Sequence, residues 1–112
     1  MYPSQLELLQ HILLECNYLS DELKLVSEEE YYSSERIKKA FVKSLEIIGE
    51  ACNKIHPDFK LTHPQVEWHL MSGMRNRLVH DYFGIDFETV WETVTVHIPV
   101  LKQWIEVFIE EK

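Results

Sequence analysis

The sequence predicts an all-α fold: an antiparallel bundle of four main helices with one additional short helix. Three glycines and four prolines among 112 residues disfavour a turn-rich β-sandwich or barrel. Hydrophobic residues make up 46% of the chain, which is a globular composition and not a disordered one. The apolar positions recur at spacings of three and four, as in helices with one buried face. This length is the size of one domain, so residues 1–112 are predicted to form a single domain.

Three helices are predicted in the first half of the chain. Ser4 is an N-cap residue, and the first helix is expected to run from there to about Val26. Ser27 precedes three glutamates, the pattern of a cap and an acidic first turn, which predicts a short helix. A long helix then runs from residue 33 or 34 to about residue 55, because its apolar residues share one face.

Two long helices are predicted in the second half. Residues 56–64 contain two His-Pro pairs, which stop helices, so a loop is expected there. A helix follows from about residue 65 to residue 82 or 83 and ends before Gly84, a natural C-terminal cap. Asp86 is predicted to cap the last helix. Pro99 lies inside it and removes a backbone hydrogen bond to Thr95, so a kink is expected.

Net charge and cysteine content limit the binding partners and the cellular compartment that are expected for this protein. The formal net charge of −8 opposes binding to nucleic acid by charge alone, so RNA contact would need a local basic site. Cys16 and Cys52 fall on apolar helix faces, which predicts buried free thiols in a reducing compartment. Met1 precedes YPSQLELLQ, which lacks the regions of a secretory signal, and no apolar stretch approaches a membrane span. A cytoplasmic protein without a membrane partner is predicted.

The stretch RNRLVHDYF, residues 75–83, concentrates polar and titratable side chains in the predicted helix from about residue 65 to residue 82 or 83. On a helical wheel, Asn76 and His80 join His69 and Ser72 in one polar stripe. This stripe lacks the mixture of glutamate and lysine that covers an ordinary solvated helix face. A polar stripe of this composition is typical of a cleft or an interface.

Arg75 lies on a different edge of the same helix, together with Tyr82. Because Arg75 and His80 are five residues apart, one straight helix does not direct them to the same point. Either the helix unwinds towards Gly84, or a two-fold dimer places the arginine of one chain beside the histidine of the other.

Structural interpretations of these residues stay open at this point. His80 could be a structural hydrogen-bonding group, which is the commoner role of a helical histidine. Arg75 could pair with Glu46 or Glu50 of another helix. Tyr82 could be a core residue with its hydroxyl at the surface. Periodicity alone therefore predicts a helical bundle with a polar cleft.

A metal site is the less favoured alternative. Six histidines are many for this length, but there is no HExxH sequence and no cysteine pair at zinc-finger spacing. His69 and His80 are three helical turns apart, too far to share one ion within a monomer. No glycine-rich phosphate loop is present. The sequence predicts neither a metal nor a cofactor.

The stretch also has a more specific pattern. Residues 75–82 fit arginine, four residues, histidine, any residue, tyrosine. This pattern resembles the signature of HEPN-domain ribonucleases, and in particular the HepT-like toxins of prokaryotic toxin–antitoxin pairs. The flanking segments LEIIGEA (45–51), GMRNR (73–77) and DFETVW (86–91) are similar to that family as well, so the resemblance extends over most of the chain.

The resemblance implies a metal-independent endoribonuclease that acts as a homodimer on an RNA substrate. His80 would be the general base or acid at a ribose 2′-hydroxyl, and Arg75 would hold the scissile phosphate and stabilise its charge. Asn76 would position the phosphate or the histidine, and Arg77 would add to RNA binding. The implied products carry a 2′,3′-cyclic phosphate and a 5′-hydroxyl.

The resemblance also implies a partner. In such pairs the antitoxin is a minimal nucleotidyltransferase (MNT) thought to attach AMP to the motif tyrosine, here Tyr82. Added bulk and negative charge at Tyr82 would block the cleft and occupy Arg75. The rival hypothesis is a helical module that binds or regulates the nucleotidyltransferase without cleaving RNA, for which the pairing of His80 with Arg75 would be unnecessary.

Overall fold

The computed structural model describes residues 4–79 and 84–111, apart from the side chains of residues 75 and 77–79. These residues form helices, and no strand occurs among them. α1 packs against both α3 and α7, and α3 packs against α5. The predicted all-α bundle is therefore confirmed. The elements in order are α1 (Gln5–Leu25), α2 (Glu28–Ser33), α3 (Glu35–Lys54), α4 (Pro57–Thr62), α5 (Trp68–Val79), α6 (Phe87–Glu92), a π-helical turn (Thr93–His97) and α7 (Ile98–Glu110).

The first helices begin where the sequence predicts, because serine side chains cap them. Ser4 accepts a hydrogen bond from the backbone N–H of Glu7, and the carboxylate of Glu7 accepts one from the backbone N–H of Ser4. Ser27 and Glu30 form the same reciprocal capping box at α2. Each box satisfies backbone donors that the helix leaves free.

α1 and α3 lie antiparallel, as two side-chain hydrogen bonds between them show. The Ser44 hydroxyl donates to Oε1 of Glu15 at 2.8 Å, and the backbone N–H of His56 donates to Oε1 of Gln5 at 3.3 Å. Partners further along one helix lie nearer the start of the other, which is the order that an antiparallel pair requires.

The loop predicted at 56–64 is wrong for most of its length, since Pro57–Thr62 form α4. Pro57 occupies the first turn of this helix, where a missing N–H costs nothing. The Nδ1 atom of His56 accepts a hydrogen bond from the backbone N–H of Asp58 at 3.1 Å. Each His-Pro pair was interpreted as a stop signal, whereas the first one starts a helix.

α5 begins at Trp68, three residues later than the predicted start at Gln65. Val66 and Trp68 are both buried, and residues two apart lie on opposite sides of a helix but on one side of an extended chain. Burying both side chains therefore keeps the chain out of the helix until Trp68. The predicted end of this helix, at 82 or 83, lies outside the described residues.

A π-helical turn, Thr93–His97, lies just before α7, and the kink at Pro99 stays a prediction. A π turn inserts an extra residue and is a common way to interrupt an α-helix without ending it. The hydroxyl of Thr95 donates to the backbone oxygen of Trp91 at 2.9 Å. The predicted last helix is thus one path made of α6, the π turn and α7.

The core lies between α1, α3, α5 and the path from α6 to α7. Cys16 and Cys52 are buried in it as free thiols, which confirms their predicted burial. Within the described residues, no helix is long and apolar enough to cross a bilayer. The largest side chains that are almost completely buried include Tyr31, Phe41, Phe108, Leu9, Ile12, Leu19, Leu45 and Ile48.

Burial of the two thiols predicts a loss of stability in alkaline solution. It raises the pKa of both Cys16 and Cys52 from 9.0 to about 12. Their contribution to the free energy of unfolding is complete below the unfolded-state pKa and disappears as pH rises towards the folded-state value. We expect the urea concentration at the unfolding midpoint to be lower at about pH 10 than at about pH 8. The double variant Cys16→Ala/Cys52→Ala should show a shallower fall; an unchanged slope would contradict this assignment.

Candidate active site

α5 carries the arginine-rich part of the motif and presents two contrasting faces. Met71 and Met74 are buried against the core. His69 and Asn76 are exposed on the opposite face. The polar stripe predicted from the helical wheel is therefore a surface feature over the part that the structure describes.

The middle of this exposed stripe is uncharged and open. A Cβ atom placed on Gly73 would meet no described atom within 4 Å outside its own part of α5. Among the described residues, the neighbouring Ser72 hydroxyl has no hydrogen-bond partner, and it is shielded from solvent. Another molecule could therefore approach the backbone of α5 closely at Gly73, beside Asn76.

A cluster of aromatic rings fixes the start of α5. The indole N–H of Trp68 donates to the backbone oxygen of His63 at 2.9 Å. The ring of His63 stacks on Phe59 with centroids 3.8 Å apart, and its Nε2 lies 3.2 Å from Oε2 of Glu111. Because Phe108 contacts Phe59, His63 and Trp68, this cluster ties α4 and the start of α5 to α7.

Sequence reasoning missed the part played by His63. The residue was considered only as half of a His-Pro pair that ends a helix. Its spacing of four from Phe59 was an available signal, since residues four apart on a helix are neighbours.

The chain that follows the motif is held as well. Asp86 caps α6 by accepting hydrogen bonds from the backbone N–H groups of Glu88 and Thr89, and hydrogen bonds from the Thr89 side chain and backbone lower the pKa of Asp86. The hydroxyl of Tyr31, a buried residue, donates to the backbone oxygen of Phe87 at 2.8 Å. The start of α6 is therefore held against α2.

Some of the predicted site residues lie in the part of the chain that the structure describes, and the others lie outside it. Arg75, Asn76 and Arg77 occupy consecutive positions of α5, and the side chain of Asn76 is exposed. The side chains of the two arginines lie outside the described residues, as do all atoms of His80 and Tyr82. The convergence of Arg75 with His80 stays a prediction.

Most lysines of α3 already lie near carboxylates. Lys38 is 2.8 Å from Glu35, and its side chain is 13% exposed. Lys43 lies 3.8 Å from Glu46, and Lys54 lies 3.7 Å from Glu50. The local positive charge that RNA binding needs in this acidic protein is therefore expected mainly from Arg75 and Arg77.

Among the described residues, no group of three or more His, Cys, Asp or Glu side chains is placed to hold a metal ion.

Comparison with known proteins gives the family. The model of the family described as "Ribonuclease HepT-like" matches residues 9–108. This chain belongs to the HepT-like ribonucleases. The match includes every predicted site residue of the HepT-like chain, and it confirms the predicted family and the predicted class of enzyme.

Individual relatives agree with this assignment. The HepT-like chain is 38% identical over 104 residues, 93% of each chain, to "Putative RNase TTE0752" of Caldanaerobacter subterraneus subsp. tengcongensis. It is 41% identical over 88 residues to "Putative RNase MJ1216" of Methanocaldococcus jannaschii, covering 79% of this chain and 73% of the relative. It is 43% identical over 74 residues to "Probable ribonuclease HepT" of Thermococcus cleftensis, covering 66% and 67% respectively. No solved structure matches this chain significantly.

Proposed function

We propose that this HepT-like protein is a metal-independent endoribonuclease, the toxin of a type II toxin–antitoxin pair. The observation that carries the proposal is the family match over residues 9–108, which includes an intact arginine, four residues, histidine, any residue, tyrosine motif at 75–82. The exposed face of α5 around Asn76 and Gly73 supports it, since an RNA strand needs an open surface.

The proposed reaction is attack of a ribose 2′-hydroxyl on the adjacent phosphorus. His80, as the neutral imidazole, takes the 2′-hydroxyl proton while the O2′–P bond forms. The P–O5′ bond breaks, and an imidazolium returns a proton to the leaving 5′-oxygen. Arg75 stabilises the added negative charge on the phosphate oxygens with its two-pronged guanidinium. Asn76 orients the phosphate or the imidazole, and Arg77 attracts the RNA backbone.

The active form in this proposal is a two-fold homodimer. Arg75 and His80 lie on different edges of an ideal helix, so one protomer directs them apart. A two-fold axis beside the exposed face of α5 would place both motifs in one cleft. The open surface at Gly73 supports close contact along this face.

The proposed antitoxin is an MNT-type nucleotidyltransferase that transfers AMP from ATP to the hydroxyl of Tyr82. The tyrosine oxygen forms a bond to the α-phosphorus, and pyrophosphate leaves. The added phosphodiester carries a negative charge that competes with RNA for Arg75. The adenosine adds bulk at the same edge of the helix, so the modified protein is silenced.

A cleavage assay in EDTA tests the proposed activity. Unmodified protein is incubated with total tRNA and with mRNA, beside His80→Ala and His11→Ala. We expect cleavage to leave 2′,3′-cyclic phosphate ends. His80→Ala should be slower by about 10²–10⁴-fold, because it loses the proton-transfer group. His11→Ala is the matched control, since this exposed histidine lies on α1 and not on the α5 face proposed for RNA and the second protomer, and it should cleave normally.

The same assay includes the proposed antitoxin with ATP. Preincubation should silence the parent protein and leave Tyr82→Phe active, with the AMP adduct located by mass spectrometry. If unmodified, dimeric protein cleaves neither RNA, the non-catalytic binding module becomes the better description. Cleavage that His80→Ala retains in full would remove the histidine from the mechanism.

A further inference from the structure

The last helical path carries an exposed apolar stripe that the proposed function does not use. Val96, Val100 and Val107 are 54%, 53% and 42% exposed. They are four and seven residues apart, so they follow one side of the helix, with the partly buried Trp104 beside them. A row of exposed apolar side chains on one face is characteristic of an interaction surface.

The stripe borders a groove between the start of α5 and the path from α6 to α7. One cavity in this groove has a volume of about 160 Å³, and a second has a volume of about 120 Å³. Met71 and His97 line both cavities, so the two are adjacent, and together they are called the α5–α7 groove. The first cavity is also lined by Val96, Val100, Trp104, Gln65 and Glu67.

The size of the groove decides between a small molecule and a protein segment. Small-molecule sites are typically about 300–1,000 Å³, and each cavity is well below that range. Two small apolar depressions along a helix instead suit single side chains of an incoming segment. A helix that lies in a groove places such anchors at intervals of three, four and seven residues.

The charge around the groove indicates the chemistry of its occupant. Glu67 and Glu92 line the cavities and are exposed. Among the described residues, no lysine or arginine lines either cavity. RNA phosphates are repelled by this border. A second copy seated by a two-fold axis would bring the same glutamates together, which is also unfavourable.

We propose that the α5–α7 groove docks an amphipathic, basic helical segment of a partner protein. Apolar side chains of that segment enter the two cavities, and its lysines or arginines face Glu67 and Glu92. This inference does not depend on RNA cleavage, because the groove lies on the side of α5 opposite Asn76. Docking would nevertheless contact the helix that carries the motif.

A synthetic peptide probe tests the proposal on the full-length protein. The probe is a helical peptide of about 16 residues with leucines at positions i, i+4 and i+7 and lysines elsewhere. The matched probe has glutamate in place of every lysine. Binding is measured by fluorescence anisotropy, and the contact surface is mapped by amide chemical shifts. We expect shifts confined to residues 65–74 and 89–107 and binding of the lysine peptide only.

Matched variants locate the docking site. Val96→Ser/Val100→Ser should weaken binding by about tenfold, because apolar contact area is lost. Leu14→Ser is the control, since Leu14 is 65% exposed but lines a different groove, between α1 and α3. Glu67→Gln/Glu92→Gln should weaken binding at low salt and have little effect at high salt.

Three results would overturn the proposal. The first is equal binding of the lysine and glutamate peptides, or no binding of either. The second is a shift map centred on the α1–α3 groove, with Leu14→Ser as damaging as the valine double variant. The third is a dimer that Val96→Ser/Val100→Ser dissociates, since the groove would then hold a second copy of this chain.

Discussion

Replacing Arg75 by alanine should lower the rate of RNA cleavage by about 10²–10³-fold, the usual cost of removing one donor that stabilises transition-state charge. Arg75→Lys should fall between the parent and Arg75→Ala, because lysine keeps the charge but lacks the planar pair of donors. Single-turnover kinetics at saturating RNA measure the effect on the chemical step. His11→Ala, an exposed position on α1, serves as the reference for nonspecific effects.

Mixing two inactive variants tests whether the site is shared between protomers. Arg75→Ala and His80→Ala are combined in equal amounts and allowed to exchange subunits. If each site takes its arginine from one chain and its histidine from the other, mixed dimers regain one intact site. Random pairing makes half of the dimers mixed, so recovery of roughly a quarter of the parent rate is expected.

The mixing experiment separates two ways in which the proposed mechanism could fail. Two inactive variants whose mixture stays inactive would place both residues of each site in one chain. That outcome would favour unwinding of the helix towards Gly84 as the way in which Arg75 meets His80. Full activity of Arg75→Ala by itself would remove the arginine from catalysis altogether.

Phe108→Ala should lower the free energy of unfolding by about 3–5 kcal/mol. Phe108 is fully buried and contacts the rings of Phe59, His63 and Trp68. Its truncation removes apolar contacts and leaves a cavity where α4, α5 and α7 meet. The loss is a large share of the roughly 5–15 kcal/mol that stabilises a typical domain.

Urea denaturation followed by tryptophan fluorescence and by circular dichroism measures this effect. Val107→Ala is the matched control, because Val107 is the neighbour of Phe108 in the chain and its side chain is 42% exposed. This variant should change the free energy of unfolding by less than about 1 kcal/mol. Equal losses in the two variants would show that the aromatic cluster is not a main source of stability. We also expect Phe108→Ala to reduce RNA cleavage even at urea concentrations at which the variant is still folded, because the start of α5 loses its packing against α7.

Local signals in the sequence were sufficient for much of the fold. Ser4 and Ser27 begin helices because a serine oxygen satisfies backbone N–H groups within three residues. The long helices follow from apolar residues spaced by three and four, which a helix gathers on one face. Such interactions connect residues close in the chain, so a linear pattern contains the information needed to predict them.

Features that depend on distant residues were not predictable in this way. The start of α5 depends on burial of both Val66 and Trp68 and on the bond from Trp68 to His63. The path after Asp86 is held by Tyr31, which is 56 residues away from Phe87 in the chain. The cavities of the α5–α7 groove exist only because residues 65–74 and 89–104 meet when α5 packs beside the path from α6 to α7.

The sequence by itself determined the chemistry that this protein can offer. The arginine, histidine and tyrosine of residues 75–82 and their flanks gave the ribonuclease family before any coordinate was known, because side-chain identity and spacing are properties of the chain. Only the tertiary structure decided which face of α5 is open, which lysines of α3 lie near carboxylates, and that an acidic groove runs along α7. Those properties depend on which helices pack together, and packing depends on burial over the whole chain.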